Sequence, residues 1–358
     1  MAPSEHEIFV SGRLCLFGEH SDWAGAYHEQ NQSIPEGTTI VVGTQEGLYA
    51  RAGALSNPVL FMKSTLEDGV TKQVEIPFEE AALLEEAQKG GFFSYAAGTA
   101  YQMKRRYGGR VQGLMIHNYR STLPMAKGLS SSAAICVLVA RAYSTVYGLQ
   151  LTVREEMELG YQGEIVTPSK CGRMDQACAY GSVPVVMKFK GAQLDVEDAK
   201  LAVPLHLVLV DLRAQKDTVR ILTALQEAYP QPKNVEQQRM QELLGFVNHG
   251  IVARVLQAMA EGDAQAVGSL MCEAQREFDS RAGPMCPDQL TAPVLHKVLA
   301  YPALQPHIWG GKGIGSQGDG TAQLLCKGQD EQAKVCQIVQ EELQKLAMPL
   351  TVRANVGK

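Results

Sequence analysis

The sequence predicts an α+β chain of two domains, and three observations point there. Its 358 residues exceed what one small hydrophobic core organises, so two domains are the natural prior. The first two hundred residues are rich in β-formers, with a few helical stretches between them. From there the chain turns helix-rich, and the shift near residues 200–215 is the best boundary.

The elements follow in order. "IFVSGRLCLFG" (8–18) is rich in β-formers and ends on glycine, which reads as a strand running into a loop. "TTIVVGTQEGLYARA" (38–52) is a second long β-rich stretch, and 57–63 and 72–76 are short strands. A helical region starts near Glu79, breaks at Gly90–Gly91 and resumes to Tyr107. Residues 111–119 read as a strand, and a helix ends near Tyr147. Thr152 and Glu155 form a capping box that opens a helix over 152–164. Strands follow at 183–189 and 205–212. After Asp217 the chain is mostly helical to about residue 300, punctuated by "PQPKN" (230–234). A strand, a glycine-rich loop and a strand (308–326), a helix (330–346) and a strand (349–354) close the chain. No internal repeat or low-complexity linker interrupts it.

Composition excludes several classes. A net charge of −5 and 6% aromatics give no electrostatic or stacking case for nucleic acid. The start, "MAPSEHEIFV", lacks the basic and apolar segments of a secretory signal. No apolar run reads as long enough to span a bilayer, so no membrane partner is expected. Eight scattered cysteines include no CxxC, which argues against a zinc ribbon and for reduced core thiols. The working class is a cytoplasmic enzyme.

The most informative stretch is "PMAKGLSSSAAI" (124–135), three serines in front of an apolar helix. The first N–H groups of a helix have no partner inside it, and with the helix dipole they attract an anion. Gly128 lets a phosphate approach the backbone, and serine hydroxyls donate to phosphate or bind Mg²⁺. The same residues read equally well as an N-cap with spare serines. The loop is not a Walker A sequence.

This stretch resembles the second motif of the GHMP kinase family, P-x-x-x-G-L-S-S-S-A, at every fixed position. "GRLCLFGEHSDWAG" (12–25) resembles the galactokinase signature of that family, and "CGRMDQ" (171–176) resembles its C-G-I-M-D-Q. "GGKGIGSQGDGTAQ" (310–323) stands where the family's C-terminal glycine-rich motif lies, with Gln317 and Asp319 unusual. The resemblance spans nearly the whole chain. Arginine at position 13, where mevalonate-type members carry lysine, points to the sugar branch.

The resemblance implies a two-domain architecture. Residues 1–205 would form an N-terminal, ribosomal S5 domain 2-like domain that binds ATP and sugar, and 206–358 a helix-rich α+β C-terminal domain. It implies an ATP-dependent, Mg²⁺-dependent kinase acting on the anomeric hydroxyl of a monosaccharide. Lys127, Gly128, Leu129, Ser130, Ser131 and Ser132 would hold the ATP phosphates. Ser132 and Glu164 would hold Mg²⁺; Glu164 lies eleven residues before Asp175, one fewer than the family's usual spacing. Asp175 would take the hydroxyl proton, with Arg13 beside it. Glu19, His20 and Asp22 would bind sugar hydroxyls.

Two departures stand out. Cys15 replaces the usual asparagine, and Arg173 replaces an apolar residue two positions before Asp175. A guanidinium there needs solvent, an ATP phosphate or a substrate carboxylate as its partner, and the last would make the acceptor a sugar acid such as glucuronate. Other readings are a small-alcohol kinase of the mevalonate type and a sugar or ATP sensor without turnover.

Overall fold

A computed structural model describes residues 5–65, 69–123, 129–169 and 171–355. Lys127 and Gly128, two of the expected phosphate ligands, lie outside the described residues.

In chain order the elements begin with β1 (His6–Phe17), α1 (Ser21–Ala26), β2 (Gly37–Leu55), β3 (Val59–Thr65) and β4 (Thr71–Pro77). α2 (Glu80–Gln88), α3 (Ser94–Tyr107), β5 (Gly113–Ser121), α4 (Ser131–Tyr147) and α5 (Val153–Glu164) follow. A short 3₁₀ turn, Asp175–Tyr180, precedes β6 (Val185–Lys190), β7 (Gln193–Asp198) and β8 (Leu205–Asp211). Then come α6 (Thr218–Gln226), α7 (Val235–Glu242), α8 (Asn248–Glu261), α9 (Ala264–Arg281), α10 (Pro287–Leu290) and α11 (Pro293–Leu299). β9 (Ile308–Gly313), β10 (Thr321–Cys326), α12 (Gln329–Glu341) and β11 (Leu346–Val352) finish it.

Two compact units result, and they do not follow the single cut near residue 205. One is residues 1–13 with 43–181, the other 14–42 with 182–358. β1 and β2 each pass from one unit to the other. Composition, which changes only near 205, carries no trace of that exchange.

In the first unit the strand order is β4-β3-β5-β2. β3 and β5 run parallel, while β2 and β4 are antiparallel to their neighbours. α5 opens with the expected capping box: the Glu155 amide donates to Thr152 Oγ1 at 3.2 Å, and the Thr152 amide to Glu155 Oε2 at 2.9 Å. Helices α3 and α5 cross backbone to backbone. A Cβ on Gly98 would sit 2.1 Å from the Gly163 carbonyl, and one on Gly163 within 2.6 Å of the Thr99 backbone. Alanine at 163 gains about 1 kcal/mol of helix propensity. It forces apart a backbone contact that cannot yield, an overpacking cost at the upper end of about 1–3 kcal/mol. Gly163→Ala is therefore expected to destabilise the protein by about 2 kcal/mol in urea unfolding. That crossing fixes the end of α5, where Glu164 sits.

In the second unit the first residues of β2 pair with β6, and β6 with β7. A separate antiparallel sheet has the order β11-β8-β10-β9. Val208, Val210 and Leu324 of this sheet pack with Leu295 of α11 and Val335 and Val339 of α12. A second core joins Ile221, Leu225, Met240, Leu243, Leu244 and Phe278. α7 and α8 are continuous through one wide turn, Leu243–Val247. Gly245 is needed there, since a Cβ would lie 2.4 Å from Pro35 Cγ. The combined run Val235–Glu261 is long and apolar enough to cross a membrane by length and composition, which the sequence reading did not expect. Its Met240, Leu243, Ile251, Val252 and Val255 are buried in the protein's own core.

Two further elements depart from expectation. α1 lies inside "GEHSDWAG", read as a loop, and β7 follows β6 through a tight turn at Gly191, whose φ is +60°. All eight cysteines are free, and Cys15, Cys136, Cys178, Cys286 and Cys326 are buried.

Candidate active site

Helix α4 starts immediately after the serine loop, and its serines do not cap it. Ser130 is the N-cap residue, in the left-handed region at φ 53°, and its side chain makes no cap hydrogen bond. Ser132 instead lies close enough to Glu164 for its hydroxyl to favour the charged form of that carboxylate. The first-turn N–H groups therefore keep their capacity to bind an anion. The long apolar run behind them explains why the helix needs no cap. Cys136, Val137, Leu138, Val139 and Tyr143 are fully buried, so packing rather than capping holds it.

Around that helix start the first unit assembles a polar cluster. The Gln176 side-chain amide donates to Glu164 Oε2 at 2.7 Å, and the Ser169 hydroxyl to Glu164 Oε1 at 3.4 Å. Burial, and then the neighbouring charge of Asp175, push the Glu164 carboxyl up to about 7. Asp175 begins the 3₁₀ turn and forms a salt bridge with Arg13, whose side chain is 6% exposed. Arg13 comes from β1, and its amide donates to the Leu129 carbonyl at 3.2 Å, tying that strand to the serine loop. The first unit thus brings Arg13, Leu129, Ser132, Glu164 and Asp175 near one another.

Sequence reasoning missed Arg141. From α4 it pairs with Glu156 at 2.7 Å and donates to the Phe9 carbonyl at 2.9 Å and the Ala179 carbonyl at 2.8 Å. One guanidinium thereby fixes α4, α5, β1 and the turn that carries Asp175. An arginine in the middle of a helix carries no local signal of such a role.

Arg173 finds its partners on α5. Its guanidinium donates to Glu158 Oε2 at 2.6 Å and lies 5.2 Å from the centre of the Tyr161 ring. Both partners are on α5, one turn apart, so the charge is answered inside the chain. A carboxylate partner for Arg173 is thus already present on α5. The signal was present in "MELGYQ", where Glu158 and Tyr161 share one helix face.

The second unit holds the other expected residues. Glu19 is in a buried salt bridge with Lys312 of β9; their side chains are 6% and 3% exposed. Lys312 also donates to the Gly313 carbonyl at 3.0 Å. Glu19 is therefore not a bare acceptor for a sugar hydroxyl, as the sequence alone suggested. It borders an enclosed cavity of about 20 Å³, room for one water, lined also by Gln275, Phe278, Lys312 and Gln317. Gln317 Oε1 is buried there without a hydrogen bond. The Gln323 amide donates to the Cys15 carbonyl at 3.2 Å, so position 15 is held through its backbone.

His20 adopts the left-handed conformation, φ 70°, ahead of α1, and is 5% exposed. Trp23 Nε1–H donates to its Nδ1 at 3.1 Å, which fixes the tautomer with the proton on Nε2. Burial, then the charges of Lys216 and Lys312, push its pKa down to about 3, so the ring is neutral. Asp22 is buried in the first turn of α1.

Comparison with known proteins agrees with the first unit's architecture. Residues 94–182, from α3 to the end of the Asp175 turn, match the family model for the GHMP kinases N terminal domain. The galactokinase of Lacticaseibacillus casei (strain BL23) is 29% identical over 161 residues, 45% of this chain and 37% of that protein. The chain thus matches little more than a third of that relative's length. The galactokinase of Thermococcus kodakarensis is 26% identical over 297 residues, 76% of this chain and 77% of that protein. The crystal structure of Lactococcus lactis galactokinase complexed with galactose superposes with a TM-score of 0.71 at 17% identity, covering 98% and 94% of the two chains. The uncapped serine helix, the Glu164 cluster and the Asp175 turn thus lie in a segment that matches the GHMP kinases N terminal domain, in a chain that is similar to galactokinases and shares the fold of the Lactococcus lactis galactokinase structure.

Proposed function

We propose that the protein is an ATP-dependent kinase that phosphorylates the anomeric hydroxyl of a monosaccharide. The observation that carries this reading is the Arg13–Asp175 pair beside an uncapped helix start with Ser132 and Glu164. Phosphoryl transfer needs positioning and charge stabilisation rather than covalent help. The serine loop cradles the phosphates through backbone N–H groups. Asp175 takes the proton of the attacking hydroxyl, and Arg13, its salt-bridge partner, stabilises developing negative charge. Glu19, His20 and Asp22 remain the proposed sugar ligands, with His20 acting through Nε2–H.

The donor set fits Mg²⁺. Among the described residues no group of three metal-binding side chains exists, and Mg²⁺ needs only one or two protein oxygens beside water and phosphate. Ser132 and Glu164 offer two hard oxygens near one another. When bound, the ion neutralises charge on the phosphates. A ligating carboxylate must be deprotonated, and Glu164 loses its proton only near pH 7. Apparent Mg²⁺ affinity is therefore expected to rise as pH increases toward 7, roughly tenfold per unit, and to level off above it. The measurement is a Mg²⁺ titration of turnover between pH 5.5 and 8.5. A flat profile removes Glu164 from the site.

A coupled ADP-release assay over neutral sugars, sugar acids and mevalonate tests the function. Turnover on a sugar supports it, and turnover on mevalonate alone transfers the protein to the small-alcohol branch. Binding of sugar and ATP without ADP release identifies a sensor. The conjunction of Asp175, Arg13 and the serine loop speaks against a sensor.

A further inference from the structure

Lys216 was not singled out by any motif, yet it is the least compensated cation near the expected sugar ligands. It sits between β8 and α6, half-buried. Burial lowers its pKa, and among the described residues no carboxylate counters that effect. Its neighbour Asp217 is spent as the N-cap of α6, accepting from the Arg220 amide at 2.9 Å. Asp319, on the adjoining glycine-rich loop, accepts from the Leu295 amide at 2.8 Å.

The position of the ammonium is defined by that loop. A Cβ on Gly320 would lie 2.5 Å from Lys216 Nζ, and one on Gly318 3.5 Å from its Cδ. The loop is glycine here so that the lysine can lie against its backbone. Lys216 is also close enough to His20 for its charge to act on the imidazole. His20 Nε2–H is a buried donor without a hydrogen bond of good geometry, and the Ser316 backbone lies close enough to act on the ring. The Ser316 and Thr218 hydroxyls, 3.2 Å apart, lie on the same loop and at the start of α6. The second unit thus gathers an uncompensated ammonium, an unsatisfied N–H and two hydroxyls. A neutral sugar leaves the ammonium without a counter-charge, whereas an oxyanion satisfies it together with the N–H.

We propose that Lys216, with His20 Nε2–H, recognises an oxyanion on the acceptor, so that the substrate is an anionic monosaccharide, a sugar carboxylate or a sugar phosphate. The assignment deepens the kinase reading and rests on it for the reaction. It differs in its residue from the sugar-acid idea based on Arg173, whose charge Glu158 already answers.

The test compares matched acceptors: galactose, galacturonate and galactose 6-phosphate, with their gluco counterparts. ADP release gives kcat/KM, and calorimetry gives binding separately. In the wild type one anionic sugar should exceed its neutral partner at least about tenfold, and which one wins separates carboxylate from phosphate. Lys216→Met should lower the anionic-to-neutral ratio roughly 10–100-fold, the scale of one charge-assisted hydrogen bond. Lys216→Arg should retain most of the ratio, which guards against a mere folding defect. A neutral sugar preferred in the wild type, or an unchanged ratio in Lys216→Met, overturns the inference and leaves the kinase reading standing. The same holds if Lys216→Met weakens ATP binding alone. Anionic sugar bound through Lys216 but never phosphorylated keeps this inference and sinks the kinase reading. Anionic sugars neither bound nor turned over overturn it.

Discussion

Asp175→Asn is expected to lower kcat by roughly 10²–10⁴, the scale of a positioned general base. Asparagine keeps the shape of the side chain but cannot accept the hydroxyl proton. It also takes the counter-charge from Arg13, which is only 6% exposed. Part of any loss could then come from stability rather than chemistry, since removing one partner of a buried pair is costly. Asp175 is 22% exposed, so solvent screens that cost. Thermal melting of the variant separates the two contributions. ATP affinity by calorimetry should change little, because the serine loop and Ser132 stay intact. Full turnover in Asp175→Asn would remove the residue from the mechanism.

Lys312→Met is expected to produce the largest loss of stability of any substitution considered. The Glu19–Lys312 pair is almost wholly buried, and methionine leaves the Glu19 carboxylate in a cavity too small for more than one water. Breaking such a pair from one side typically costs about 3–5 kcal/mol. Replacing both partners, as in Glu19→Gln with Lys312→Met, should recover much of that, because no buried charge is stranded. Urea unfolding of the two single variants and the double variant measures the coupling. If Lys312→Met alone is as stable as the wild type, the pair does not hold the two segments together. Sugar affinity in the double variant then tells whether Glu19 also serves the substrate.

Much of this molecule was legible as local pattern. β-Formers in runs gave β1, β2, β5, β8, β9 and β10, and the capping box at Thr152 and Glu155 placed the start of α5. The break at Gly90–Gly91 separated α2 from α3. The serine loop, Arg13 and Asp175 were marked by contiguous motifs, and a motif survives in sequence because its residues act within a few positions of one another. β7 was not legible, since "QLDVED" carries four polar residues on an exposed edge strand. α1 was hidden because six residues of a polar motif contain no helical period to detect.

By itself the sequence determined the order of most elements, and its resemblance to the GHMP kinases pointed to the α+β class, the serine loop, Arg13 and Asp175. These depend on propensity, periodicity and short-range spacing, all of which are properties of neighbouring residues. Tertiary structure decided which charges are compensated. It paired Arg173 with Glu158, Glu19 with Lys312 across 293 positions, and Arg141 with three separate elements, while leaving Lys216 without a carboxylate among the described residues. It also decided that residues 14–42 belong with 182–358. Electrostatic compensation and domain membership are set by distances between parts of the chain that are remote in sequence. No local pattern encodes those distances; they exist only once the strands and helices have packed.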